Sequence, residues 1–217
     1  MNILMKMTPS NYLSLARILL VPVLVVVLLT RIDNYHIIGV IVFWIAAITD
    51  GLDGYLARRW RQVTKLGTLL DPLADKMLIT GALISLIELQ HDGHSLAPAW
   101  MVFLILIREF AITGLRSIAA EEGLIISAGI LGKWKVGLQI TAISLLILGP
   151  KLDQLFYEWT DQKVFQYFIT LRYPFPFFLG MGTLILWASL LVALWSGYQY
   201  LSAYWKHLQL TGDFNND

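Results

Sequence analysis

Cysteine is absent from the 217 residues of this chain. Its absence excludes disulfide bonds, thiolate metal sites and cysteine nucleophiles. Charge is also scarce, because Asp, Glu, Lys and Arg make up 14% of the residues, against about 25% in soluble proteins. The net charge of +1 gives no basis for a nucleic-acid partner. A solvent other than water is the simplest explanation for so little charge.

Long apolar runs take the place of the missing charge. Hydrophobic residues make up 57% of the chain, above the roughly 45–50% of soluble proteins. A bilayer-spanning helix needs about 20 mainly apolar residues. Six such segments are predicted, at residues 12–30, 35–58, 67–90, 98–119, 133–148 and 177–205. The sequence therefore predicts a single all-α domain, a polytopic membrane protein with six transmembrane helices.

Three stretches outside these helices have compositions of their own. Residues 1–10 are predicted to form a short interfacial segment, and residues 206–217 a cytoplasmic tail. Residues 151–176 mix charges with aromatic side chains and are predicted to lie at the membrane interface, where Trp and Tyr are enriched. The polar connector HDGHS, which begins at His91, is predicted to be a solvated loop.

Lys and Arg are divided unevenly between the two sides of the predicted membrane domain. With the N-terminus inside, ten fall on the cytoplasmic side: Lys6, Arg17, Arg58, Arg59, Arg61, Lys65, Arg116, Lys133, Lys135 and Lys206. Four fall on the outer side: Arg31, Lys151, Lys163 and Arg172. Because cytoplasmic loops carry the excess of Lys and Arg, both termini are predicted to face the cytoplasm.

The most informative stretch joins the second predicted helix to the third and reads TDGLDGYLARRWRQVTKLGTLLDPLADK from position 49. Asp50 and Asp53 are three residues apart, and Asp71 and Asp75 are four apart. Residues at these spacings share one face of a helix. Asp50 and Asp75 each lie about 12 Å, at 1.5 Å per residue, from the connection between their helices. The four carboxylates are therefore predicted to converge just below the cytoplasmic surface.

Such a cluster is costly in a membrane, where one Asp at a helix centre costs about 2.5–3.5 kcal/mol. Two divalent cations would balance four carboxylates, and oxygen-only ligands favour hard ions such as Mg²⁺ or Mn²⁺. Gly54 and Gly67 remove side chains where a ligand would approach the backbone. Arg58 offers a guanidinium group suited to phosphate. The stretch therefore indicates a metal-assisted phosphate site.

Other interpretations remain open at the level of the residues. Intramembrane carboxylates are also typical of proton or cation relays in transporters, and glycine in a membrane helix usually serves helix packing. A transporter of this kind predicts inverted repeats with matching helix breaks, and the sequence shows neither. Arg108 lies mid-helix beside Glu109, so it is either paired internally or lines the site, and a structural ion pair is favoured.

The spacing D-x2-D-G-x2-A-R-x8-G-x3-D-x3-D, which begins at Asp50, resembles the signature of the CDP-alcohol phosphatidyltransferases at every position. Four further segments are similar to the bacterial phosphatidylglycerophosphate synthases of that family. They are NYLSLARILLVP at 11–22, IREFAITGLRS at 107–117, GKWK at 132–135 and LWSGYQYLSA at 194–203. The resemblance covers most of the chain.

The resemblance implies a six-helix homodimer in the bacterial inner membrane, with its site open to the cytoplasm. It implies that Asp50, Asp53 and Asp71 bind the metal ions, and that Asp75 is both a ligand and the general base. CDP-diacylglycerol and sn-glycerol 3-phosphate are the implied substrates. A sibling enzyme with another acceptor, of the cardiolipin, serine or inositol type, is the alternative.

The same resemblance implies two binding regions beside the metal ligands. The CDP pocket would be formed by Gly54, Ala57, Arg58 and Gly67, with Asn11 and Arg17 as weaker candidates. Arg17 could equally be a charge that only sets topology. A phosphorylated acceptor needs further cations, for which Arg116, Lys133 and Lys135 are the candidates. Topology alone would also place cations at these helix ends.

Overall fold

The computed structural model describes residues 9–60, 65–121, 130–159 and 176–211, and this part of the chain is almost entirely helical. Its six helices are α1 (Pro9–Thr30), α2 (Tyr35–Trp60), α3 (Lys65–Glu88), α4 (Ala99–Glu121), α5 (Ile130–Trp159) and α6 (Phe177–Thr211). Between α3 and α4, strand β1 (Gln90–His91) pairs antiparallel with β2 (His94–Ser95). The predicted all-α class and six helices are confirmed for the described residues.

Three helical segments are long and apolar enough to cross a membrane by length and composition. They are Tyr12–Thr30, Trp134–Phe156 and Phe177–Lys206, in a search confined to the described residues. A shorter apolar stretch, Tyr35–Thr49, precedes the aspartates of α2. In α4, Arg108, Glu109 and Arg116 interrupt the apolar run. That all six helices span the bilayer stays a prediction.

The prediction was wrong at the end of α5. The helix does not stop at 148 but continues to Trp159, so residues 151–159 are part of α5, while their predicted location at the membrane interface stays a prediction. Proline and charged residues, here Pro150 and Lys151, are typical of the region just after a helix. Residues 160–175 of the predicted segment, and residues 1–8 of the predicted interfacial start, lie outside the described residues. The predicted cytoplasmic tail is helical up to Thr211.

A contact from another helix lies one turn before Pro150, which α5 contains in its interior. A proline inside a helix removes one hydrogen bond and disturbs the preceding carbonyl groups. His36, at the start of α2, lies 2.8 Å through its Nδ1 from the carbonyl oxygen of Ile147. Because a carbonyl only accepts, Nδ1 carries the proton and donates. The carbonyl that loses its N–H partner to Pro150 is that of Leu146, four residues earlier, so the His36 contact lies at the next carbonyl along the helix.

Contacts at several levels fix the directions in which neighbouring helices run. Arg31, just after α1, donates from Nη2 to the carbonyl oxygen of Glu88, the last residue of α3, at 3.4 Å. These two helices are therefore parallel. Trp44 of α2 donates from Nε1 to Ser144 Oγ of α5 at 3.1 Å, further along α2 and earlier along α5 than the His36 contact. The α2 and α5 helices are therefore antiparallel.

Glycines bring α5 and α6 close together. A Cβ added to Gly149 would lie 2.8 Å from Leu179 Cδ2 and 3.2 Å from the Leu179 backbone nitrogen. A Cβ on Gly182 would lie 3.1 Å from Leu146 Cδ2. Small residues commonly allow such close approach in membrane proteins. The two contacts also show that α5 and α6 are antiparallel.

Asp153 of α5 accepts two hydrogen bonds from the beginning of α6. Its Oδ1 accepts from the backbone N–H of Phe178 at 2.9 Å, and its Oδ2 from that of Leu179 at 3.2 Å. The side chain is buried, with 3% exposure. The first N–H groups of a helix have no intrahelical partner and carry partial positive charge, so a carboxylate stabilises them.

The core lies where all six helices meet. The fully buried apolar residues include Leu24, Leu28, Phe43, Leu83, Leu86, Met101, Ile105, Ile143, Leu146, Ile147 and Leu186. Many large apolar side chains elsewhere are exposed, as on α1 and α2, where membrane lipid is the natural solvent.

We expect Gly149→Ala to destabilise the protein by about 1–3 kcal/mol, because the new methyl group meets the Leu179 backbone and the helices must separate. Gly137→Ala, on the same helix with nothing within 4 Å of the added Cβ, is the matched control. Thermal unfolding in detergent should show a lower Tm for the first variant only. Equal Tm values would show that the close approach is not required.

Candidate active site

The backbone places the four aspartates on two neighbouring helices. Asp50 and Asp53 lie in unbroken helix α2, and Asp71 and Asp75 in unbroken helix α3. The predicted helical spacing of each pair is therefore confirmed. Their side chains lie outside the described residues, so the convergence of the four carboxylates stays a prediction.

For the predicted CDP pocket, too, the structure describes the backbone but not the contacts of the residues. Gly54, Ala57 and Arg58 lie in the last turns of α2, and Gly67 lies in the first turn of α3. Asn11 lies in the first turn of α1. The backbone thus puts the glycines and Arg58 beside the aspartates along the chain, whereas the contacts of these residues lie outside the described part.

Arg17 is at the depth of Asp75. A Cβ on Gly81 of α3 would lie 2.9 Å from Val21 and 3.4 Å from Val25, both on α1. Asp75 precedes Gly81 by six residues, and Arg17 precedes the midpoint of the two valines by the same number. Six residues correspond to about 9 Å along the axis of each of these parallel helices, at 1.5 Å per residue. The packing register therefore brings Arg17 and Asp75 to one level.

Burial distinguishes the two interpretations of Arg17. Its side chain is wholly buried, at 0% exposure, and so is Ser14 one turn before it. A charge that only sets topology lies near water or lipid headgroups. A buried guanidinium instead requires partners inside the protein. The burial favours Arg17 as a residue of the site.

The contacts between α2 and α5 give the depth of Lys135 relative to the aspartates. Trp44 of α2 contacts Ser144 of antiparallel α5. Asp53 follows Trp44 by nine residues, and Lys135 precedes Ser144 by nine. Each step is about 13.5 Å at 1.5 Å per residue. The contact of His36 with Ile147 places Asp53 level with residue 130 instead, so the two contacts together put Lys135 within about 7.5 Å of the depth of Asp53.

Charged and polar side chains meet between α4, α5 and α6 in a cluster of Arg108, Glu109, Lys135 and Ser196, here called the buried polar cluster. Arg108 donates from Nε to the carbonyl oxygen of Ala193 at 2.8 Å and from Nη2 to Ser196 Oγ at 2.9 Å. Its Nη1 lies 3.6 Å from Glu109 Oε1. The ammonium group of Lys135 contacts the same Glu109 oxygen. Arg108 is 9% exposed and Lys135 5%.

Two neighbouring side chains add hydrogen-bonding capacity to this region. Gln139 lies one turn after Lys135, and Ser189 one turn before Ala193. Both are buried, and within the described part of the chain Gln139 Nε2 and Ser189 Oγ have no hydrogen-bond partner. Gly149, ten residues after Gln139, packs against Leu179, ten residues before Ser189. Because α5 and α6 are antiparallel, Gln139 and Ser189 lie at the same depth. Buried polar atoms of this kind are usually satisfied by water or a ligand.

The structure separates the three cations predicted to bind the acceptor. Lys135 is inside the buried polar cluster, whereas Arg116 is exposed, eight residues beyond Arg108 on α4. Lys133 lies in the first turn of α5, and its side chain is outside the described residues. Arg108 is held internally, as the ion-pair interpretation predicts. Sequence reasoning did not assign roles to Glu109 or Gln139, although an intramembrane carboxylate is itself a signal.

The donor chemistry of the aspartates fits hard divalent cations. The turns of α2 and α3 that carry them hold carboxylates and no imidazole or sulfur ligand apart from Met77 beyond Asp75. Mg²⁺ and Mn²⁺ prefer such oxygen ligands, and two of these ions would balance four negative charges. The buried Arg17 at the same depth adds a cation suited to phosphate.

Comparison with known proteins gives one consistent result. The sequence model of a family described as CDP-alcohol phosphatidyltransferase matches residues 7–195. A Bacillus subtilis (strain 168) protein named CDP-diacylglycerol–glycerol-3-phosphate 3-phosphatidyltransferase is 38% identical over 211 residues, covering 92% of this chain and 96% of its own. Proteins of the same name from Rickettsia bellii and Haemophilus influenzae are 32% and 37% identical, covering 91% and 66% of this chain and 95% and 77% of their own.

Proposed function

We propose that this chain, which belongs to the CDP-alcohol phosphatidyltransferase family, is a membrane enzyme that transfers the phosphatidyl group of CDP-diacylglycerol to sn-glycerol 3-phosphate. The observation that carries the proposal is the similarity, over nearly the whole chain, to proteins named for this reaction. The apolar helices agree with a lipid substrate held in the bilayer. The products are phosphatidylglycerophosphate and CMP.

The aspartates are the centre of the proposed mechanism. Asp50, Asp53 and Asp71, together with Asp75, would hold two Mg²⁺ or Mn²⁺ ions. Such ions, when bound, neutralise a pyrophosphate and make its phosphorus more electrophilic. The chain supplies carboxylates at fixed helical spacing, so the geometry is set by the folding of α2 and α3. Preorganised ligands need little rearrangement during the reaction.

Asp75 has the further role of general base. It would accept the proton of the primary hydroxyl of glycerol 3-phosphate while that oxygen forms a bond to the phosphorus that carries the diacylglycerol. The bond from this phosphorus to the bridging oxygen breaks, and CMP leaves with the bridging oxygen and its electron pair. A base positioned on the hydroxyl contributes typically about 10²–10⁴-fold to such a step.

The nucleotide would lie along the cytoplasmic ends of α2 and α3. Gly54, Ala57 and Gly67 leave room for it, and Arg58 binds phosphate oxygens. The burial of Arg17 at the depth of Asp75 supports its inclusion in this pocket. Asn11, in the first turn of α1, is the remaining candidate.

The acceptor would enter from the side on which α4 ends and α5 begins. Arg116 and Lys133 are the cations near this entrance, and Lys135 lies deeper, within about 7.5 Å of the depth of Asp53. A dianionic acceptor is attracted by cations grouped around such a mouth. Both termini and this entrance would face the cytoplasm of a bacterial cell, in a homodimer in the inner membrane.

Purified protein, labelled CDP-diacylglycerol and a panel of alcohols test this function. We expect CMP release and a labelled lipid product with glycerol 3-phosphate, and little product with serine, inositol or phosphatidylglycerol. A clear preference for one of these other acceptors would establish a sibling enzyme. No transfer to any acceptor, under conditions in which the protein binds CDP-diacylglycerol, would contradict the enzyme proposal and favour the transporter hypothesis.

A further inference from the structure

We propose that Glu109 is a positioning residue, whose carboxylate fixes the ammonium group of Lys135 and so sets the affinity for the phosphate of the acceptor. This inference rests on the proposed function. It assigns a role to a partly buried carboxylate that the metal site does not use. The contact that carries it is the ion pair between Glu109 Oε1 and Lys135 Nζ across α4 and α5.

The first argument is the need to hold a lysine in one place. A lysine side chain has four rotatable bonds, and ordering it costs up to about 1.5–2 kcal/mol of conformational entropy. If Glu109 holds the ammonium group before the acceptor arrives, this entropy is lost when the protein folds and not when the acceptor binds. An ammonium group has three N–H donors, so a bond to Glu109 is compatible with another to a phosphate oxygen.

The second argument is that Glu109 is itself held by its neighbour. Arg108 bonds to the Ala193 carbonyl and to Ser196 Oγ, both on α6, and so fixes α4 against that helix. With Arg108 directed to α6, the next residue of α4 can direct its carboxylate to Lys135 on α5.

The third argument is location. Lys135 lies within about 7.5 Å of the depth of Asp53, by the contacts of Trp44 with Ser144 and of His36 with Ile147. The acceptor carries its attacking hydroxyl and its phosphate on one three-carbon chain. A cation that binds this phosphate must therefore lie near the depth of the metal ligands, and Lys135 meets this condition.

The fourth argument is that hydrogen-bonding capacity remains beside the pair. Gln139 Nε2 and Ser189 Oγ are buried without a hydrogen-bond partner in the described part of the chain. A purely structural ion pair is expected to have its polar neighbours satisfied. The remaining capacity next to Lys135 points to a small polar ligand at this position.

The test is a double-mutant cycle on transfer activity. Glu109→Gln removes the negative charge and keeps the shape of the side chain. We expect it to raise the KM for glycerol 3-phosphate about tenfold to hundredfold, the range of a lost charged hydrogen bond. The KM for CDP-diacylglycerol and kcat should each change less than about twofold. Lys135→Ala should give a similar or larger effect, and the double variant should not exceed Lys135→Ala alone.

Glu88→Gln, an exposed substitution at the end of α3, is the matched control and should leave all constants unchanged. If Glu109→Gln does not fold, Glu109→Asp keeps the charge but shortens its reach, and the KM for glycerol 3-phosphate alone should rise. An unchanged acceptor KM, an equal rise in both KM values or additive effects in the double variant would overturn the inference. Failure of the unmodified protein to use glycerol 3-phosphate would instead contradict the proposed function.

Discussion

Asp50→Asn is expected to lower turnover by about 10³-fold or more, because it removes a negatively charged ligand whose metal supplies several kcal/mol of transition-state stabilisation. Asparagine has nearly the same size as aspartate, so the helix and its membrane insertion should be retained. Asp53→Asn and Asp71→Asn should behave alike. Asp92→Asn is the control, since Asp92 lies in an exposed turn with φ of 51°, a conformation that asparagine adopts readily.

The measurement is the initial rate of transfer as Mg²⁺ or Mn²⁺ is added back after chelation. The unmodified protein should show no activity without metal and full activity with it. The Asp50 variant should remain nearly inactive at any metal concentration, whereas Asp92→Asn should follow the unmodified protein. Full activity after exhaustive chelation would refute the metal site, and a variant that kept most of its activity would remove that residue from the ligand set.

Asp75→Asn is expected to lose about 10²–10⁴-fold in kcat, the usual contribution of a general base, while CDP-diacylglycerol still binds. The three other aspartates would hold the metal ions that bind the pyrophosphate, so the loss should fall on the chemical step. Equilibrium binding of labelled CDP-diacylglycerol in the presence of Mg²⁺, combined with single-turnover transfer, separates the two effects.

Comparison with Asp50→Asn decides the role of Asp75. A general base affects proton transfer, whereas a required ligand affects metal and lipid binding together. If Asp75→Asn lost lipid binding as completely as Asp50→Asn, Asp75 would be a metal ligand only. Its proposed role as the proton acceptor would then be wrong.

The sequence predicted the helices well where hydrophobic length determines them. The boundaries of α2 and α4 lie within two residues of the prediction, because polar connectors end their apolar runs. The end of α5 was missed by eleven residues, at 159 and not 148. Pro150 and the charged residues after it are typical of a helix end, yet α5 continues through them, beside the contacts that His36 and the start of α6 make with it. Such tertiary contacts have no local signal.

In the candidate site, too, residues that local spacing determines were predicted, and residues that depend on contacts between distant helices were not. The four aspartates were found because helical spacing is written in the sequence, and α2 and α3 confirm that spacing. The burial of Arg17 and the contact of Lys135 with Glu109 depend on helices distant in sequence. Positive-inside counting treats every lysine and arginine alike, so it could not separate the buried Lys135 from the exposed Arg116.

The two hydrogen bonds of Asp153 have a consequence for how freely the chain can vary. They set the start of α6 directly against α5, so the position of α6 does not depend on the length of the peptide that joins the two helices. A change in the number of residues between α5 and α6 should therefore leave the contact of Asp153 with the start of α6 in place, and with it the register of the distant aspartates.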